Sequence, residues 1–459
     1  MTVPILVWLR RDLRLADQPA FHAAAAGGAP VIPVYVLDDE GAGLRKLGGA
    51  SRWWLHHSLE ALGNDLENAG SCLILRRGPA ARELAAVANE VGAREVHALA
   101  HYEPWWREAE AEVAAALDLH LHDGNYLAPP GNVLTGGGTP FRIFTPFWRA
   151  LEQELPPPEP LPAPKLAAPG KWPASDKLAD WQLLPTTPDW AGGFREAWRV
   201  GEAAAHEQLD DFVHRVGDYE TARNLPSIDG SSRLSPHLHW GELSPRQVWH
   251  ALDGKRGIGV QSFRRELGWR DFAQGIIAQF PDYAERSFRG GSDRMAWRDP
   301  DGEAAADLAA WQQGRTGYPI VDAGMRQLWA TGWMHNRVRM IAASFLIKHL
   351  LIDWHIGERW FWDTLVDADY GNNAVNWQWV SGSGVDTSLF VRIMAPLVQS
   401  PKFNAAGYIR EWVPELAGLS DADIHDPVFR PKGYPAPVIG HREARERALA
   451  AYAQVKSGA

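Results

Sequence analysis

One short segment of the chain combines carboxylate, amide and indole side chains in a way that is typical of a ligand pocket. Between Asp367 and Trp379 it holds two carboxylates, three asparagines and two tryptophans. A solvated loop would not normally carry both Trp377 and Trp379. Binding pockets are mostly apolar and orient their ligand with a few well-placed polar groups. The segment therefore predicts one wall of a binding site.

A second polar cluster interrupts a region that otherwise has the apolar spacing of a buried helix. Residues four apart share a helix face, so His335 lies with Arg339 and Asn336 lies with Met340. Arginines in apolar surroundings need carboxylate or phosphate partners. Arg337 and Arg339 therefore predict an acidic partner or a bound anion nearby.

A third candidate is a run of small hydroxyl residues that follows Tyr219 in the chain. Its members are Ser231, Ser232, Arg233, Leu234 and Ser235. Hydroxyl residues at a helix start add donors to the free backbone N–H groups, which makes an anion site. On this segment alone, an ordinary N-cap is the simpler explanation.

The elements that position these clusters differ along the chain. Strands are predicted at residues 5–10, 31–37, 72–76 and 95–101, and helices at 51–69, 80–91 and 103–117. This alternation predicts a parallel sheet with helices on both faces. No G-x-G-x-x-G motif follows the first strand, so an ordinary dinucleotide site is not expected there.

The later part of the chain has a different composition. A proline run at residues 156–160 predicts a long surface connection. After Gly201 the strand signal largely disappears and the pattern becomes helical. We therefore predict an α/β domain at 1–130, a Pro-rich linker at 131–200 and an all-helical domain at 201–459.

Composition excludes several classes of protein. The 459 residues are 46% hydrophobic and 22% charged, as in ordinary globular proteins, and no apolar run is long enough for a membrane span. The net charge, 46 − 56 = −10, argues against a uniformly basic surface but allows a local basic face. The single cysteine, Cys72, permits no intrachain disulfide and predicts a reducing cytosol. The 23 tryptophans favour stacking or electron transfer.

Metal binding is not expected from the histidine pairs of the sequence. Neither His56 with His57 nor His237 with His239 has a cysteine or carboxylate at the spacing of a metal site. We therefore predict no metal.

Five motifs together resemble the DNA photolyase/cryptochrome family. They are WLRRDLRL at 8–15, SSRLS at 231–235, TGYPIVDA at 316–323, WMHNR at 333–337 and NWQW at 376–379. The motifs occur in the family's order and together span nearly the whole chain. Within the family, the chain looks most like microbial cyclobutane pyrimidine dimer photolyases of the class I type. The resemblance implies a five-stranded, parallel, Rossmann-like N-terminal sheet followed by a large all-α FAD-binding domain.

The resemblance also implies a cofactor, FAD, that is active in its reduced form, FADH⁻. The implied FAD contacts are Tyr219, Ser231, Ser232, Arg233, Leu234, Ser235, Phe263, Arg339, Asp367, Asp369 and Asn373. Arg339 and Asp367 would form an ion pair beside the flavin. Asn373 would face flavin N5, where a neutral amide accepts from N5–H without adding a like charge.

For the substrate, the resemblance implies UV-damaged DNA with the pyrimidine dimer flipped out of the duplex, as photolyases are known to do. The implied DNA contacts are Arg223, Glu266, Trp269, Arg270, Asn336, Arg337, Met340, Trp379, Arg392 and Gln399. The implied catalytic residues are Glu266, Asn336, Met340 and Asn373. Trp269 and Trp379 would stack on the dimer, and Glu266 would stabilise charge arriving on it.

Two further features follow from the resemblance. An electron relay from flavin to surface would use Trp377 and Trp354, with Trp297 rather than Trp311 as its end. The segment 103–108 lacks the Asn-Glu pair of folate-binding members and is nearer to deazaflavin-binding ones. Because Trp106 replaces a small residue there, the second chromophore stays open between deazaflavin and none.

The implied activity is light-driven repair, in which excited reduced FAD passes an electron to the dimer. Two alternatives remain: a cryptochrome-like blue-light photoreceptor, and repair of the (6-4) photoproduct. A monomer in the bacterial cytosol that acts on damaged DNA, without membrane or metal, is expected.

Overall fold

The N-terminal part of the computed structural model is a parallel sheet, and the structure describes residues 2–39, 45–290, 292–387 and 392–457. Its strands are β1 (Ile5–Leu9), β2 (Val31–Leu37), β3 (Ile74–Arg77), β4 (Glu95–Leu99) and β5 (Asp118–His122). All neighbours pair in parallel, in the order β3-β2-β1-β4-β5. The order places β1 at the centre and β3 and β5 at the two edges.

Helices cover both faces of this sheet. They are α1 (Pro19–Ala25), α2 (Gly49–Asn68), α3 (Ala80–Val91) and α4 (Pro104–Ala116). Along β1, Leu6 and Trp8 belong to one buried cluster and Val7 and Leu9 to another. Successive side chains of a strand point to opposite faces, so a strand covered on both sides must be apolar throughout.

The remainder is helical, and the predicted fold class is confirmed. The helices are α5 (Phe144–Leu151), α6 (Gly192–Ala197), α7 (Glu202–Arg215), α8 (Tyr219–Ala222), α9 (Ser235–Trp240), α10 (Pro245–His250), α11 (Ile258–Gln279), α12 (Ala305–Gln312), α13 (Pro319–Thr331), α14 (Asn336–Ser344), α15 (Trp354–Thr364), α16 (Tyr370–Ser381), α17 (Pro396–Lys402), α18 (Ala406–Trp412) and α19 (His441–Ser457). Among the described residues, no helix combines the length and the apolar character that crossing a bilayer requires.

Residues 131–200 are more than a surface connection. They contain α5, whose Phe144 and Trp148 are buried in the core of the helical part. Further along, Trp181 and Phe194 are buried in the cluster that covers one face of the sheet. Large aromatic side chains contribute much buried apolar area. The segment therefore packs against both parts of the protein, although its proline run suggested a bare linker.

The arginine-rich segment after β1 joins the sheet to the helical part. The guanidinium of Arg14 is fully buried and donates to the carbonyl of Gly241 at 2.9 Å and to Oδ1 of Asn125 at 3.1 Å. The backbone N–H of Leu13 donates to the carbonyl of Trp240 at 3.1 Å. Arginine suits this role because its planar fork can donate several hydrogen bonds at once. This explains why arginines follow β1 here, where a dinucleotide-binding protein has glycines.

Candidate active site

A cavity of about 500 Å³ in the helical part brings together most of the predicted FAD contacts. Its walls come from α8, α9, α11, α14, α16 and the segment before α9. The predicted residues among them are Tyr219, Ser231, Ser232, Arg233, Ser235, Phe263, Arg339, Asp367 and Asp369. The three polar clusters of the sequence therefore meet at one place, although they are far apart along the chain.

Two predicted FAD contacts lie elsewhere. The side chain of Leu234 is fully buried in the helical core and does not line the cavity, so only its backbone could serve a ligand. Asn373 lines an adjoining cavity of about 100 Å³. Arg339, Asp367 and Asn336 line both spaces, so the small cavity continues the larger one.

The ion pair between Arg339 and Asp367 is two-pronged. Nη1 of Arg339 donates to Oδ1 of Asp367 at 3.1 Å, and Nη2 donates to Oδ2 at 2.9 Å. The hydroxyl of Ser235 donates to the same Oδ2 at 2.7 Å. The remaining Nε of Arg339 donates to the carbonyl of Met334 at 2.7 Å. Since every polar atom of the pair has a partner, the pair fixes the cavity wall in one geometry.

We expect Asp367→Asn to lower the free energy of unfolding by about 3 kcal/mol, because it leaves a partly buried guanidinium without its counter-charge. We also expect the purified protein to retain less FAD, since Ser235 and Arg339 lose their common anchor. Chemical denaturation and the ratio of flavin to protein absorbance measure the two effects.

An exposed ion pair provides the matched control. Asp189 and Arg195 are 2.6 Å apart, with about half of each side chain exposed. Exposed pairs contribute under about 1 kcal/mol, so Asp189→Asn should have little effect. An equal loss in both variants would show that the Arg339–Asp367 pair contributes nothing specific.

Asp369 is an anion held by several donors at the start of α16. It accepts from the backbone N–H of Asn372 at 2.7 Å and from Nε2 of Gln274 at 3.1 Å. Burial alone would raise the pKa of this carboxyl, but the neighbouring His239 ring, the Asn372 N–H and the charge of Arg270 lower it overall. The side chain is therefore ionised, and it caps the helix that carries the asparagine and tryptophan cluster.

His239 was considered from the sequence only as a metal ligand, yet it lies in the wall of the larger cavity. Burial and the charge of Arg11 lower its pKa to about 4, so the ring is neutral near pH 7. Its Nδ1 faces Oδ2 of Asp369 at 3.8 Å, whereas its buried Nε2 has no hydrogen-bond partner within the described chain. An unpaired buried polar atom is costly unless a ligand satisfies it.

The orientation of Asn373 is set by a residue that the sequence analysis missed. Its Nδ2 donates to the backbone carbonyl of Glu358 at 3.0 Å and to Oε1 of Glu358 at 2.7 Å. Arg45 donates to the other carboxylate oxygen of Glu358. Both amide hydrogens of Asn373 are therefore used, and the atom it can offer to the small cavity is its carbonyl oxygen. No local motif marks Glu358, which lies one helix away from Asn373.

The residues of these cavities fit FAD. Hydroxyl and guanidinium donors at Ser231, Ser232 and Arg233 suit a pyrophosphate. The neutral Asn373 amide and the unpaired Nε2 of His239 suit a polar ring system in the same space. Apolar wall comes from aromatic residues such as Phe263, whose ring packs 5.2 Å from that of Tyr219.

A second, open cavity of about 780 Å³ holds five of the ten predicted DNA contacts. The predicted residues in its walls are Arg337, Met340, Trp379, Arg392 and Gln399. Arg337, Met340 and Trp379 also line the 500 Å³ cavity, so the two spaces adjoin. With Lys402, the walls carry three basic side chains and one carboxylate, that of Glu220. A positive opening of this kind suits a phosphate backbone.

Glu266 and Trp269 lie on α11, one helical turn apart, and both line the 500 Å³ cavity. The carboxylate of Glu266 accepts from the guanidinium of Arg223, which lines the same wall. The ring of Trp269 stacks on that of Phe144, with 3.6 Å between centroids and 8° between planes. Phe144 thus supports one face of the indole from behind. The half-buried indole also borders the cavity.

Arg270, predicted as a DNA contact, also has structural contacts. Its guanidinium donates to the backbone carbonyls of Asn125 and Leu238, and it stacks 4.7 Å from the ring centroid of Tyr126. These contacts join α11 to the chain that follows β5 and to α9. The structure therefore makes Arg270 a bridge between the sheet and the helical part, although it also lines the cavity.

The three tryptophans of the predicted relay lie in different surroundings. Trp377 is buried, lines the small cavity and packs 5.0 Å from Phe361. Trp354 is fully buried, with its N–H donated to the hydroxyl of Ser287 at 3.2 Å. Trp297 is partly exposed, whereas Trp311 is fully buried. A relay that ends at the surface needs an exposed last member, which favours Trp297.

Side chains pack together around Trp106, where the sequence left a second chromophore open between deazaflavin and none. Trp106 packs edge-on against Trp8 at 6.3 Å, and Arg10 lies over both rings. Glu103 is buried, and its Oε1 lies 3.6 Å from Nη1 of Arg11. The half-buried Trp106 therefore packs against the core of the sheet domain. The identity of a second chromophore stays a prediction.

Family models match both parts of the chain. Residues 5–165 match the model described as DNA photolyase, and residues 263–454 match that of the FAD binding domain of DNA photolyase. A deoxyribodipyrimidine photo-lyase from Agrobacterium fabrum is 48% identical over 99% of this chain and 98% of the relative. Cryptochrome-1 from Arabidopsis thaliana is 34% identical over 98% of this chain and 70% of the relative.

Solved structures agree with this result. The crystal structure of a bacterial class III photolyase from Agrobacterium tumefaciens superimposes with a TM-score of 0.94 at 47% identity, covering 100% of this chain and 98% of that one.

The chain belongs to the DNA photolyase family, and its helical part contains that family's FAD-binding domain. The predictions of a photolyase enzyme and of FAD as cofactor are confirmed. The class I subtype is not confirmed, because the matching solved structure is described as a class III photolyase.

Proposed function

We propose that this protein repairs cyclobutane pyrimidine dimers in UV-damaged DNA, using light and reduced FAD. The observation that carries the proposal is that one cavity holds both sets of residues. Arg339 and Asp367, assigned to FAD, line the same 500 Å³ space as Glu266, Trp269 and Trp379, assigned to the lesion. A cofactor and a flipped base bound there would be close to each other, as direct electron transfer requires.

The DNA-facing residues have the chemistry that a flipped dimer needs. A saturated dimer stacks poorly in the duplex, so it is easier to extrude than an ordinary base pair. Trp269 and Trp379 offer flat apolar surfaces that replace the lost stacking. Glu266 and Asn336 offer an acceptor and an amide for the imide and carbonyl edges of the pyrimidines. Arg337, at the boundary of both cavities, holds a phosphate beside the lesion.

The protein's part in the reaction is binding, orientation and exclusion of water. When bound, reduced FAD supplies the light-excited electron that splits the cyclobutane ring, and the electron returns afterwards. Arg223 holds the carboxylate of Glu266 in place, where it meets the dimer edge. Glu358 holds the Asn373 amide so that its carbonyl oxygen faces the small cavity. Met340 lines all three cavities and excludes water between them.

The proposal also covers the subtype, the location and the assembly state of the protein. We assign the chain to the class III type on the strength of its 47% identity to the structure so described. We further propose that it acts as a monomer in the bacterial cytosol, where DNA is accessible.

Repair is tested with reduced protein and an oligonucleotide that contains one thymine dimer. We expect absorbance near the thymine maximum to return under blue light and to stay constant in darkness. An oligonucleotide with a (6-4) photoproduct is the control substrate and should remain unchanged. Repair of the (6-4) lesion alone would replace the proposed substrate. Failure on both, with FAD bound and photoreducible, would favour a photoreceptor.

A further inference from the structure

A cluster of imidazoles and carboxylates lies on β4 and β5, in the sheet rather than in the photolyase site. The parallel register pairs Glu95 with Asp118 and His97 with His120. Alternate residues of a strand share a face, so His122 lies on that face too. The side chains of His120 and Glu95 are both partly exposed, so the cluster borders solvent.

Three ligand atoms of the cluster converge on one point. Oε1 of Glu95 lies 2.7 Å from Nε2 of His97 and 3.6 Å from Nε2 of His120. All three atoms lie within 4.8 Å of one another. Zinc binds nitrogen and carboxylate oxygen at about 2.0–2.2 Å in a tetrahedral geometry, which separates ligand atoms by roughly 3.3 Å. Small side-chain rotations therefore suffice to bind an ion.

His122 supplies what a ligating histidine needs behind it. Its Nε2 lies 2.8 Å from Nδ1 of His97, and the two ring planes lie within 12° of each other. A metal-bound histidine usually donates its other ring N–H to a fixed acceptor, which sets the tautomer. With Nδ1–H donated to His122, the lone pair of His97 Nε2 faces Glu95 and His120. The hydrogen bond between His97 and His122 is a separate observation from the convergence of the three ligand atoms.

The exposure of the cluster allows an ion to enter. The side chain of His97 is 8% exposed, whereas those of His120 and Glu95 are 45% and 40% exposed. Oδ2 of Asp118 lies 3.5 Å from Nε2 of His120 and adds a second carboxylate beside the site. A buried imidazole and two open ligands leave a fourth position for water. The two carboxylates balance the charge of a divalent ion.

We propose that Glu95, His97 and His120 bind one Zn²⁺, and that the ion ties the edge strand β5 to β4. Two imidazoles and one carboxylate suit Zn²⁺, Ni²⁺ or Cu²⁺ rather than Mg²⁺. The prediction of no metal rested on His56 with His57 and on His237 with His239, which are neighbours along one segment. Here two i, i+2 pairs on different strands, Glu95/His97 and His120/His122, are joined by strand pairing.

The test titrates ZnCl₂ into FAD-loaded, full-length protein that has been stripped with EDTA. Calorimetry should give one equivalent of bound Zn²⁺. Co²⁺ should give the visible absorption of a low-symmetry site, and Mg²⁺ should give neither signal. His120→Gln removes an exposed ligand and should weaken Zn²⁺ binding by at least about a hundredfold. His122→Phe keeps an aromatic ring but not the hydrogen bond, and should weaken binding about ten- to a hundredfold.

Amide hydrogen exchange measures whether the bound ion links β5 to β4. Zn²⁺ should slow exchange of β5 amides in the unmodified protein and leave them unchanged in His120→Gln. FAD content and light-driven repair should be the same in both proteins, because the cluster lies outside the flavin and lesion cavities. Equal FAD content also shows that the variant is folded.

A second histidine group supplies a matched control. His56, His57 and Glu60 also bring ligand atoms within 4.8 Å of one another, all from α2. His57→Gln should leave Zn²⁺ binding unchanged. Loss of binding in His57→Gln with retention in His120→Gln would overturn the assignment. Binding that is absent from the unmodified protein would overturn it as well.

Discussion

Replacing Trp377 by phenylalanine should slow photoreduction of oxidised FAD by more than an order of magnitude while leaving FAD bound. Trp377 is buried in the wall of the small cavity that also holds Asn373 and Asp367. Indole is far easier to oxidise than a phenyl ring, so the variant loses the first electron donor beside the flavin. Phenylalanine keeps the apolar contact with Phe361, which stands 5.0 Å from the indole. The measurement is the rate of flavin bleaching under blue light with an external reductant.

Repair by protein that has been reduced chemically should persist in Trp377→Phe, because that electron starts on the flavin. Trp172→Phe is the control, since this indole packs against the sheet. Unchanged photoreduction in Trp377→Phe would make this tryptophan structural only. Trp297→Phe and Trp311→Phe extend the test: the partly exposed Trp297 should matter, and the fully buried Trp311 should not.

The sequence predicted those parts of the site that lie close together along one helix. Asp367, Asp369, Trp377 and Trp379 stand within one short segment, so their spacing alone indicated a pocket wall. The Arg339–Asp367 pair required more, because its partners are 28 residues apart. An arginine in apolar surroundings predicts an acidic partner. Only the family resemblance identified that partner as Asp367.

Other parts of the site could not be predicted because nothing local marks them. Glu358 and His239 look like ordinary helix residues in sequence, and only packing brings them to Asn373 and Asp369. Leu234 stands between predicted ligands, yet its side chain enters the core. In each case the tertiary arrangement decides which way a side chain points, and a linear pattern does not contain that information.

In the fold, too, the sequence predicted the elements that have a local pattern and missed those that lack one. Strands β1 to β4 each contain a short run of apolar residues and were predicted within a few residues of their bounds. The edge strand β5 carries Asp118, His120 and His122 on its open face, so it lacks the apolar pattern of a buried strand. An edge strand has no neighbour on one side, and charged side chains are common on such strands. Its sequence therefore lacks the run of apolar residues that marks a buried strand. Only the family resemblance implied it.

Replacing Trp269 by alanine should weaken binding of dimer-containing DNA by about ten- to a hundredfold, because stacking on a base is worth roughly 1–3 kcal/mol. Binding of undamaged DNA should hardly change, since an intact duplex keeps its bases stacked and does not enter the cavity. The indole lines the 500 Å³ cavity with one face supported by Phe144. Fluorescence anisotropy with matched damaged and undamaged oligonucleotides measures the two affinities.

Arg392→Ala provides the contrast, because Arg392 belongs to the basic wall of the open cavity, where its guanidinium stands 5.6 Å from the ring of Trp379. Its loss should weaken both kinds of DNA alike and reduce the salt dependence of binding by about one unit of slope. Phe144→Leu removes the support behind Trp269 but keeps the indole, so it should cost much less than Trp269→Ala. If Phe144→Leu reproduced the full loss, the effect would be one of packing. If Trp269→Ala weakened damaged and undamaged DNA equally, no flipped dimer would stack at this position.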